Sequence, residues 1–263
     1  MIKMVISDVD GTLVKESSGY INPEYYEVIR DLHAKGIQVV VASGRPYSSI
    51  HSLFKPVEDI IWYVADGGAA IKTIGELEVV SEIPRSILEE AWLDIAKIPG
   101  MDGICCGKNC VYAPDTNSEM YQMLAREYKM KMEGLGGWDY IPDEKFAKFS
   151  LFRFEDIEKY ANMEFLPKWK DKLHMVIAGE WWLDCMLPGV NKGSALQTIM
   201  DRHGYVREEV MATGDNMNDY EMIELAGTGV AVSTARDEVK AVAAYTIGNY
   251  EDDSVLKEWK KLL

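Results

Sequence analysis

Short apolar runs recur at both ends of the chain, and a helix-like pattern separates each run from the next. An apolar run of about four to eight residues that does not alternate with polar residues is typical of a strand covered on both faces. Such runs lie at about 4–9, 37–42, 60–65, 210–213, 229–232 and 245–247. Strands that alternate with helices build parallel sheets through right-handed crossovers. The two ends of the chain therefore predict an α/β fold with a Rossmann-like parallel sheet.

The helices between these runs have recognisable ends. Asn22 and Pro23 suit the N-cap and the first position of a helix, and Gly36 suits the residue after its end. Pro46 suits the start of the next helix in the same way. Further helices are predicted at about 193–203, 217–226 and 236–244, and from 253 onward.

The middle of the chain follows a different order. Residues 84–98 form an amphipathic helical pattern, and strand-like and helix-like pieces then follow without regular alternation. The strand-like pieces lie near 103–113, 148–154, 173–178 and 181–187, and the helix-like pieces near 117–129 and 156–169. We therefore expect an inserted α+β domain over 84–186, with the α/β core formed by 1–83 and 187–263.

Composition and charge limit the kinds of molecule that the protein is expected to bind. The chain has 263 residues and a formal net charge of −15, which argues against binding to nucleic acid or to an anionic membrane. A phosphorylated substrate stays possible, because a metal ion and a few basic residues reverse the field locally. No apolar stretch approaches the roughly 20 residues of a membrane span, and the first strand leaves no room for a signal peptide. We therefore expect a cytoplasmic protein.

The cysteines do not form a convincing metal site. Cys105 and Cys106 are adjacent, Cys110 follows closely, and Cys185 is distant in sequence. This spacing does not match that of zinc ligands. We expect reduced thiols that behave as small apolar residues.

Two acidic clusters follow apolar runs, one near each end of the chain. Asp8 and Asp10 belong to the first cluster, and alternate side chains of a strand would place both on one side. The second cluster is Gly214-Asp215-Asn216-Met217-Asn218-Asp219. Close carboxylates repel each other and need a cation or a shared proton between them. The two clusters predict a Mg²⁺ site at the carboxyl edge of the parallel sheet.

Four separated motifs in this order resemble those of the haloacid dehalogenase superfamily of phosphohydrolases, and the arrangement is most similar to its Cof-type branch. The motifs are Asp8-Val9-Asp10-Gly11-Thr12, Ala42-Ser43-Gly44-Arg45-Pro46, Asn191-Lys192-Gly193 and Gly214-Asp215-Asn216-Met217-Asn218-Asp219. The resemblance covers essentially the whole chain. It implies that the inserted domain is a cap that selects the substrate. One position departs from the pattern, since Asp66 stands where many relatives have Asn.

The resemblance and the residue types together give an expected mechanism. Catalysis of phosphoryl transfer is mostly positioning and charge neutralisation. Asp8 is the expected nucleophile, which forms an aspartyl-phosphate, and Asp10 is the expected general acid and base. Asp8 and Asp215 would hold Mg²⁺ through their carboxylates. The resemblance implies that Asp10 adds its main-chain carbonyl.

The remaining motif residues are expected around the phosphate and the metal. The expected phosphate or substrate contacts are the main chain near Val9, together with Thr12, Ser43, Gly44, Arg45, Lys192 and Asn218. Asn216 and Asp219 are expected to support the metal ligands or the lysine.

Three of these residues could instead have an ordinary structural role, or fit such a role to different degrees. Arg45 could instead pair with an acid, and Ser43 could only cap the turn before a helix. Lys192 fits an ordinary role less well, because a cation in the first turn of a helix opposes the helix dipole. A nearby anion would explain its presence.

The predicted function is Mg²⁺-dependent hydrolysis of small phosphorylated metabolites, with sugar phosphates favoured by the resemblance. Two alternatives stay open. A phosphomutase-type enzyme shares the pair of Asp8 and Asp10 and would depend on a bisphosphate activator. A non-catalytic phosphate sensor would often have lost one of that pair, and this chain keeps both. We expect a monomer or weak homodimer with no nucleic-acid or membrane partner.

Overall fold

A computed structural model of the protein describes residues 1–15, 18–126, 130–178 and 180–263. These residues form two compact units, one of Met1–Leu77 with Asn191–Leu263 and one of Glu78–Val190. The second unit is longer at both ends than the expected inserted domain over 84–186. It begins with a two-residue strand and ends with the loop after its last strand.

The strands are numbered in chain order. They are β1 (Met4–Asp8), β2 (Gln38–Ala42), β3 (Ile61–Ala65), β4 (Ala70–Lys72), β5 (Glu78–Val79), β6 (Asp102–Gly107), β7 (Val111–Ala113), β8 (Met132–Gly134), β9 (Phe146–Phe152), β10 (His174–Ala178), β11 (Trp182–Met186), β12 (Val210–Gly214), β13 (Thr228–Val232) and β14 (Tyr245–Ile247).

The helices are numbered in the same way. They are α1 (Glu24–Ala34), α2 (Tyr47–Leu53), α3 (Arg85–Ile95), α4 (Glu119–Arg126), α5 (Ile157–Tyr160), α6 (Leu166–Trp169), α7 (Lys192–His203), α8 (Tyr220–Leu225), α9 (Asp237–Val242) and α10 (Ser254–Lys260). Single 3₁₀ turns lie at Lys55–Val57, Asp66–Gly68, Arg207–Glu209, Met217–Asp219 and Tyr250–Asp252, and a π-helical turn at Ala161–Phe165. The predicted extension of α4 over 127–129 lies outside the described residues.

The first unit is built on a sheet with β1 at its centre. The strands run in the order β14-β13-β12-β1-β2-β3-β4, and every neighbouring pair is parallel except β3 with β4. All five residues of β1 are buried, as expected for a strand covered on both faces. The predicted α/β class is confirmed, with an antiparallel edge strand that was not predicted. The carboxyl ends of β1, β2 and β12 lie side by side, so the motifs that follow them converge.

The second unit has a sheet of the order β10-β11-β9-β6-β7-β8. Its neighbouring strands are antiparallel except β7 with β8, so this unit is α+β as predicted. Its main core contains Trp92 of α3, Phe149 of β9 and Trp169 of α6, all fully buried. All four cysteines lie in this unit as buried thiols, which confirms that they pack as apolar residues.

Candidate active site

The first motif begins where the central strand ends. Asp8 is the last residue of β1 and is only 3% exposed. The chain then turns at Gly11, whose φ is +80° and whose N–H donates to the carbonyl of Val14 over 2.8 Å. A Cβ atom at Gly11 would lie 2.6 Å from Oδ2 of Asp215. Glycine at this position therefore allows the two acidic motifs to approach each other.

A buried lysine lies between two carboxylates. Lys192 begins α7, is fully buried, and donates from Nζ to Oδ1 of Asp8 over 2.5 Å and to Oδ1 of Asp219 over 2.6 Å. Burial lowers the pKa of Lys192, but Asp219 and Asp8 outweigh burial and raise the pKa above its ordinary value. These contacts favour the charged form of the lysine. The two carboxyl groups also offset its unfavourable interaction with the helix dipole.

Asp219 connects this lysine to the loop after β12. Its second oxygen, Oδ2, accepts the main-chain N–H groups of Asp215 over 3.0 Å and of Asn216 over 3.1 Å. A Cβ atom at Gly214 would lie 2.6 Å from Cβ of Asp219, so this close approach requires glycine. Asp219 therefore fixes the Asp215 loop relative to Lys192. Its role in supporting a bound metal stays a prediction.

Three carboxylates share one small volume. Oxygens of Asp8, Asp215 and Asp219 lie within 4.8 Å of one another. Burial, followed by Asp219, raises the pKa of Asp8 well above its ordinary value. The same two causes raise the pKa of Asp215 to about 6. The charge of one lysine does not balance this group.

The group fits a hard divalent cation. Asp8 Oδ2 is buried and accepts no hydrogen bond from any part of the chain that the structure describes. A buried carboxylate oxygen without a partner is costly, and Mg²⁺ prefers ligands of this kind. Asp215 is oriented by Thr12, whose hydroxyl donates to Oδ1 over 3.2 Å. Asp8 and Asp215 therefore belong to an acidic group that could hold the ion, and their assignment as its ligands stays a prediction.

Arg45 forms an ion pair with Asp10. Its Nε donates to Oδ2 of Asp10 over 2.8 Å, and a terminal nitrogen contacts Oδ1. Another terminal nitrogen donates to the carbonyl of Ser18 over 3.0 Å. The alternative in which Arg45 pairs with an acid is thus the one seen in this structure, and the acid belongs to the first motif. A contact between Arg45 and substrate stays a prediction.

The second motif packs on the turn after β3. Ser43 is buried, and its hydroxyl accepts the main-chain N–H of Arg45 over 3.0 Å within the turn that precedes α2. The Asp66 N–H donates to the Arg45 carbonyl over 3.0 Å, and the Gly67 N–H to the Ser43 carbonyl over 3.1 Å. Asp66 is buried with φ of +52°, a conformation that Asn also tolerates.

Several expected contacts lie outside the buried carboxylate cluster. Asn216 and Asn218 are exposed, and the Asn216 side chain accepts the Met217 N–H as a helix cap. Gly44 is half-buried in the turn of the second motif. Val9 is buried, and its carbonyl accepts N–H groups within the turn after β1. Their phosphate contacts stay predictions.

Two hydroxyl groups behind the site were not identified from the sequence. Thr213 of β12 donates to the Ser7 hydroxyl over 2.6 Å, and Ser7 donates to the main-chain carbonyl of Asp8 over 2.8 Å. The sequence signal that could have identified them is a polar residue, Ser7 or Thr213, near the end of each of two apolar runs.

Comparison with known proteins settles the family. A family model for haloacid dehalogenase-like hydrolases matches residues 5–258. The chain belongs to this family. It is a Cof-type phosphatase that acts on phosphorylated small molecules, as the sequence predicted. No described helix is long and apolar enough to cross a membrane.

Two curated relatives match over almost their full length. The Escherichia coli protein YbjI, a 5-amino-6-(5-phospho-D-ribitylamino)uracil phosphatase, is 27% identical over 262 residues, covering 100% of this chain and 96% of that protein. The Bacillus subtilis protein YcsE, with the same named activity, is 26% identical over 256 residues, covering 97% and 94%.

Solved structures share the whole fold. A crystal structure of a protein from Eubacterium rectale has a TM-score of 0.90 at 35% identity, covering 100% of this chain and 99% of that one. The sugar phosphatase BT4131, of haloacid dehalogenase subclass IIB, has a TM-score of 0.80 at 24% identity, covering 99% and 98%. At that identity the second comparison shows the fold alone.

Proposed function

We propose that the protein hydrolyses phosphate monoesters of small metabolites through an aspartyl-phosphate on Asp8, with Mg²⁺ as cofactor. One observation supports this proposal most directly. Lys192 engages Oδ1 of the buried Asp8, while Oδ2 has no hydrogen-bond partner among the described residues. Oδ2 can then bind the cation, and a carboxylate that Lys192 holds in place beside that cation is suited to nucleophilic attack.

Mg²⁺ would be held by the carboxylates of Asp8 and Asp215, and by the main-chain carbonyl of Asp10 as the family resemblance implies. When bound, the ion neutralises the repulsion between carboxylates and phosphoryl oxygens. Lys192 supplies a further positive charge beside Asp8.

The proposed reaction has two balanced steps. In the first, a carboxylate oxygen of Asp8 bonds to phosphorus, the bond from phosphorus to the ester oxygen breaks, and Asp10 gives its proton to the leaving alkoxide. In the second, Asp10 takes a proton from water, the water oxygen bonds to phosphorus, and the bond to Asp8 breaks. Inorganic phosphate and the free alcohol are the products. Arg45 orients the Asp10 carboxylate between these steps.

The substrate class is proposed from the relatives. YbjI and YcsE are named for a phosphorylated ribityl compound, and the family resemblance favours sugar phosphates. We therefore place phosphorylated sugars and sugar alcohols first, and assign substrate selection to the inserted domain. A cytoplasmic location and a monomer or weak homodimer stay predictions.

The test is phosphate release from a panel of sugar phosphates, polyol phosphates and nucleotides, with Mg²⁺ or with chelator. Wild type is compared with Asp8→Asn and with Asp237→Asn, a control at a fully exposed acid. We expect release that requires both Mg²⁺ and Asp8 and that the control retains. Release that survives chelation or Asp8→Asn would refute the mechanism. Isomer interconversion that needs a bisphosphate activator would instead favour a mutase.

A further inference from the structure

Two buried hydroxyl groups lie directly behind the nucleophile. Ser7 of β1 and Thr213 of β12 are both fully buried, and they are paired residues in the register of the two parallel strands. The residues that precede them in both strands are apolar and buried. Apolar side chains would therefore suit these two positions equally well for packing alone.

The two hydroxyl groups form two consecutive hydrogen bonds that point in the same direction, and we call this pair the hydroxyl relay. The Thr213 hydroxyl donates to the Ser7 oxygen over 2.6 Å, and the Ser7 hydroxyl donates to the main-chain carbonyl of Asp8 over 2.8 Å. Each hydroxyl has a single proton, so Thr213 uses its proton for the bond to Ser7, and Ser7 uses its proton for the bond to the Asp8 carbonyl. Both distances are normal for O–H···O hydrogen bonds. The relay ends on the peptide group of the nucleophile itself.

The orientation of that carbonyl determines the orientation of one main-chain donor. The Asp8 carbonyl and the Val9 N–H belong to one planar peptide group, so an atom that restrains the first also restrains the second. The Val9 N–H is an expected donor to the phosphoryl oxygens. A donor that is already oriented costs no reorganisation when charge develops in the transition state.

We propose that Ser7 and Thr213 are positioning residues whose hydroxyl relay orients the peptide group between Asp8 and Val9 for phosphoryl transfer. The inference rests on the proposed function, because it concerns the same phosphate site. In a purely structural role, the two hydroxyl groups would only satisfy each other's hydrogen bonds inside the sheet. Their loss would then affect the stability of the protein and not its catalysis.

The test uses variants that remove or retain the relay. Thr213→Val removes the first donor with little change of shape, Ser7→Ala removes the second, and Thr213→Ser retains a hydroxyl. Val39→Ala is the control, because it removes buried apolar atoms from β2 without touching a hydroxyl. For each variant we would measure orthovanadate binding with Mg²⁺ by calorimetry, kcat and KM for p-nitrophenyl phosphate, and the free energy of unfolding.

We expect Thr213→Val and Ser7→Ala each to weaken orthovanadate binding and to lower kcat by about tenfold, because a transition-state donor is no longer oriented. KM should change by less than about twofold. Thr213→Ser should restore most of the loss. Wild-type kcat and orthovanadate affinity in Thr213→Val, or an equal loss in Val39→Ala, would overturn the proposal.

A crystal structure of Ser7→Ala separates this proposal from the proposed function. We expect the Asp8 carbonyl to rotate away from its wild-type direction. An unchanged carbonyl would overturn the relay even in an active enzyme. A wild-type protein that neither hydrolyses p-nitrophenyl phosphate nor binds orthovanadate would refute the proposed function, and the carbonyl direction would still decide whether the relay orients this peptide.

Discussion

Each of the two units buries a lysine against a carboxylate, and the two groups differ in how far the carboxylate oxygens are satisfied by hydrogen bonds. In the second unit, Lys148 donates to Oδ2 of Asp184 over 2.8 Å, and Ser150 donates to Oδ1 over 2.6 Å. Both carboxylate oxygens of Asp184 therefore accept a hydrogen bond. A buried carboxylate that is satisfied in this way is suited to specifying a fold.

In the first unit, one lysine meets a group of three carboxylates. Lys192 contacts Asp8 and Asp219, and Asp215 lies close to both acids. Oδ2 of Asp8 has no hydrogen-bond partner among the described residues. Both groups bury charge, so buried charge alone does not distinguish them. The unsatisfied oxygen of Asp8, beside two further carboxyl groups, is the feature that supports a cation site in the first unit.

The largest expected difference between the two groups concerns activity. Asp8→Asn should lower phosphate release by about 10⁴-fold or more, because the amide is a poor nucleophile. Asp184→Asn should lower stability but keep release that depends on Mg²⁺. Steady-state assays with the best substrate of the panel measure both. Equal losses in the two variants would contradict the distinction between the groups.

The two lysines should differ in their response to metal. Lys192→Met and Lys148→Met should each lower the free energy of unfolding by about 3–5 kcal/mol, because each leaves buried carboxylate charge without a cation. Mg²⁺ should restore part of the loss in Lys192→Met, whose carboxylates can bind it, and none in Lys148→Met. Urea unfolding with Mg²⁺ or chelator measures this. The same response in both variants would show that the carboxylates of the first unit do not form a cation site.

Two glycines with similar backbone angles give a matched pair. Gly11 and Gly36 have φ of +80° and +77°, but a Cβ atom would meet Asp215 only at Gly11. Gly11→Ala and Gly36→Ala should each cost about 1–2 kcal/mol of stability through the left-handed conformation. Only Gly11→Ala should also weaken Mg²⁺ binding, as calorimetric titration would show. Equal Mg²⁺ affinities would mean that the clash does not displace the metal ligand.

The smallest expected effect is a change of stability with pH. The pKa of Asp215 is raised to about 6 by burial and then by Asp219, so the folded metal-free protein favours the neutral acid. Its contribution to stability is present below the unfolded pKa of about 4 and is lost as the pH rises through about 6. Metal-free wild type should therefore lose stability relative to Asp215→Asn between pH 4 and pH 7.

Metal binding should show the opposite trend, because Mg²⁺ needs the ionised carboxylate. Apparent Mg²⁺ affinity should fall by up to about tenfold per pH unit below pH 6. Thermal melts across this range, with and without Mg²⁺, measure both trends. A Mg²⁺ affinity that does not change between pH 5 and pH 7 would contradict the assignment of Asp215 as a ligand.

Much of the fold could be predicted because its signals are local. The apolar runs that became β1, β2 and β12 are buried on both faces, so their composition alone identified them. β4, β5 and β8 were missed because they have only two or three residues, too few for a periodic pattern. Their pairing comes from neighbouring strands rather than from their own sequence.

The sequence by itself determined which chemical groups stand at the ends of the strands. A glycine beside acidic residues at the end of an apolar run is a local signal, and it can be recognised without knowledge of the pairing between strands. Together with the order of the four motifs, this signal was enough for the family and the fold class.

Only the tertiary structure decided which atoms pair. Lys192 meets Asp8 across 184 positions, and Thr213 meets Ser7 across 206. Arg45 could have faced substrate or an acid, and the fold placed it on Asp10. Local sequence cannot decide such pairings, because a hydrogen bond depends on distances of a few tenths of an ångström between groups that only the packed sheet brings together.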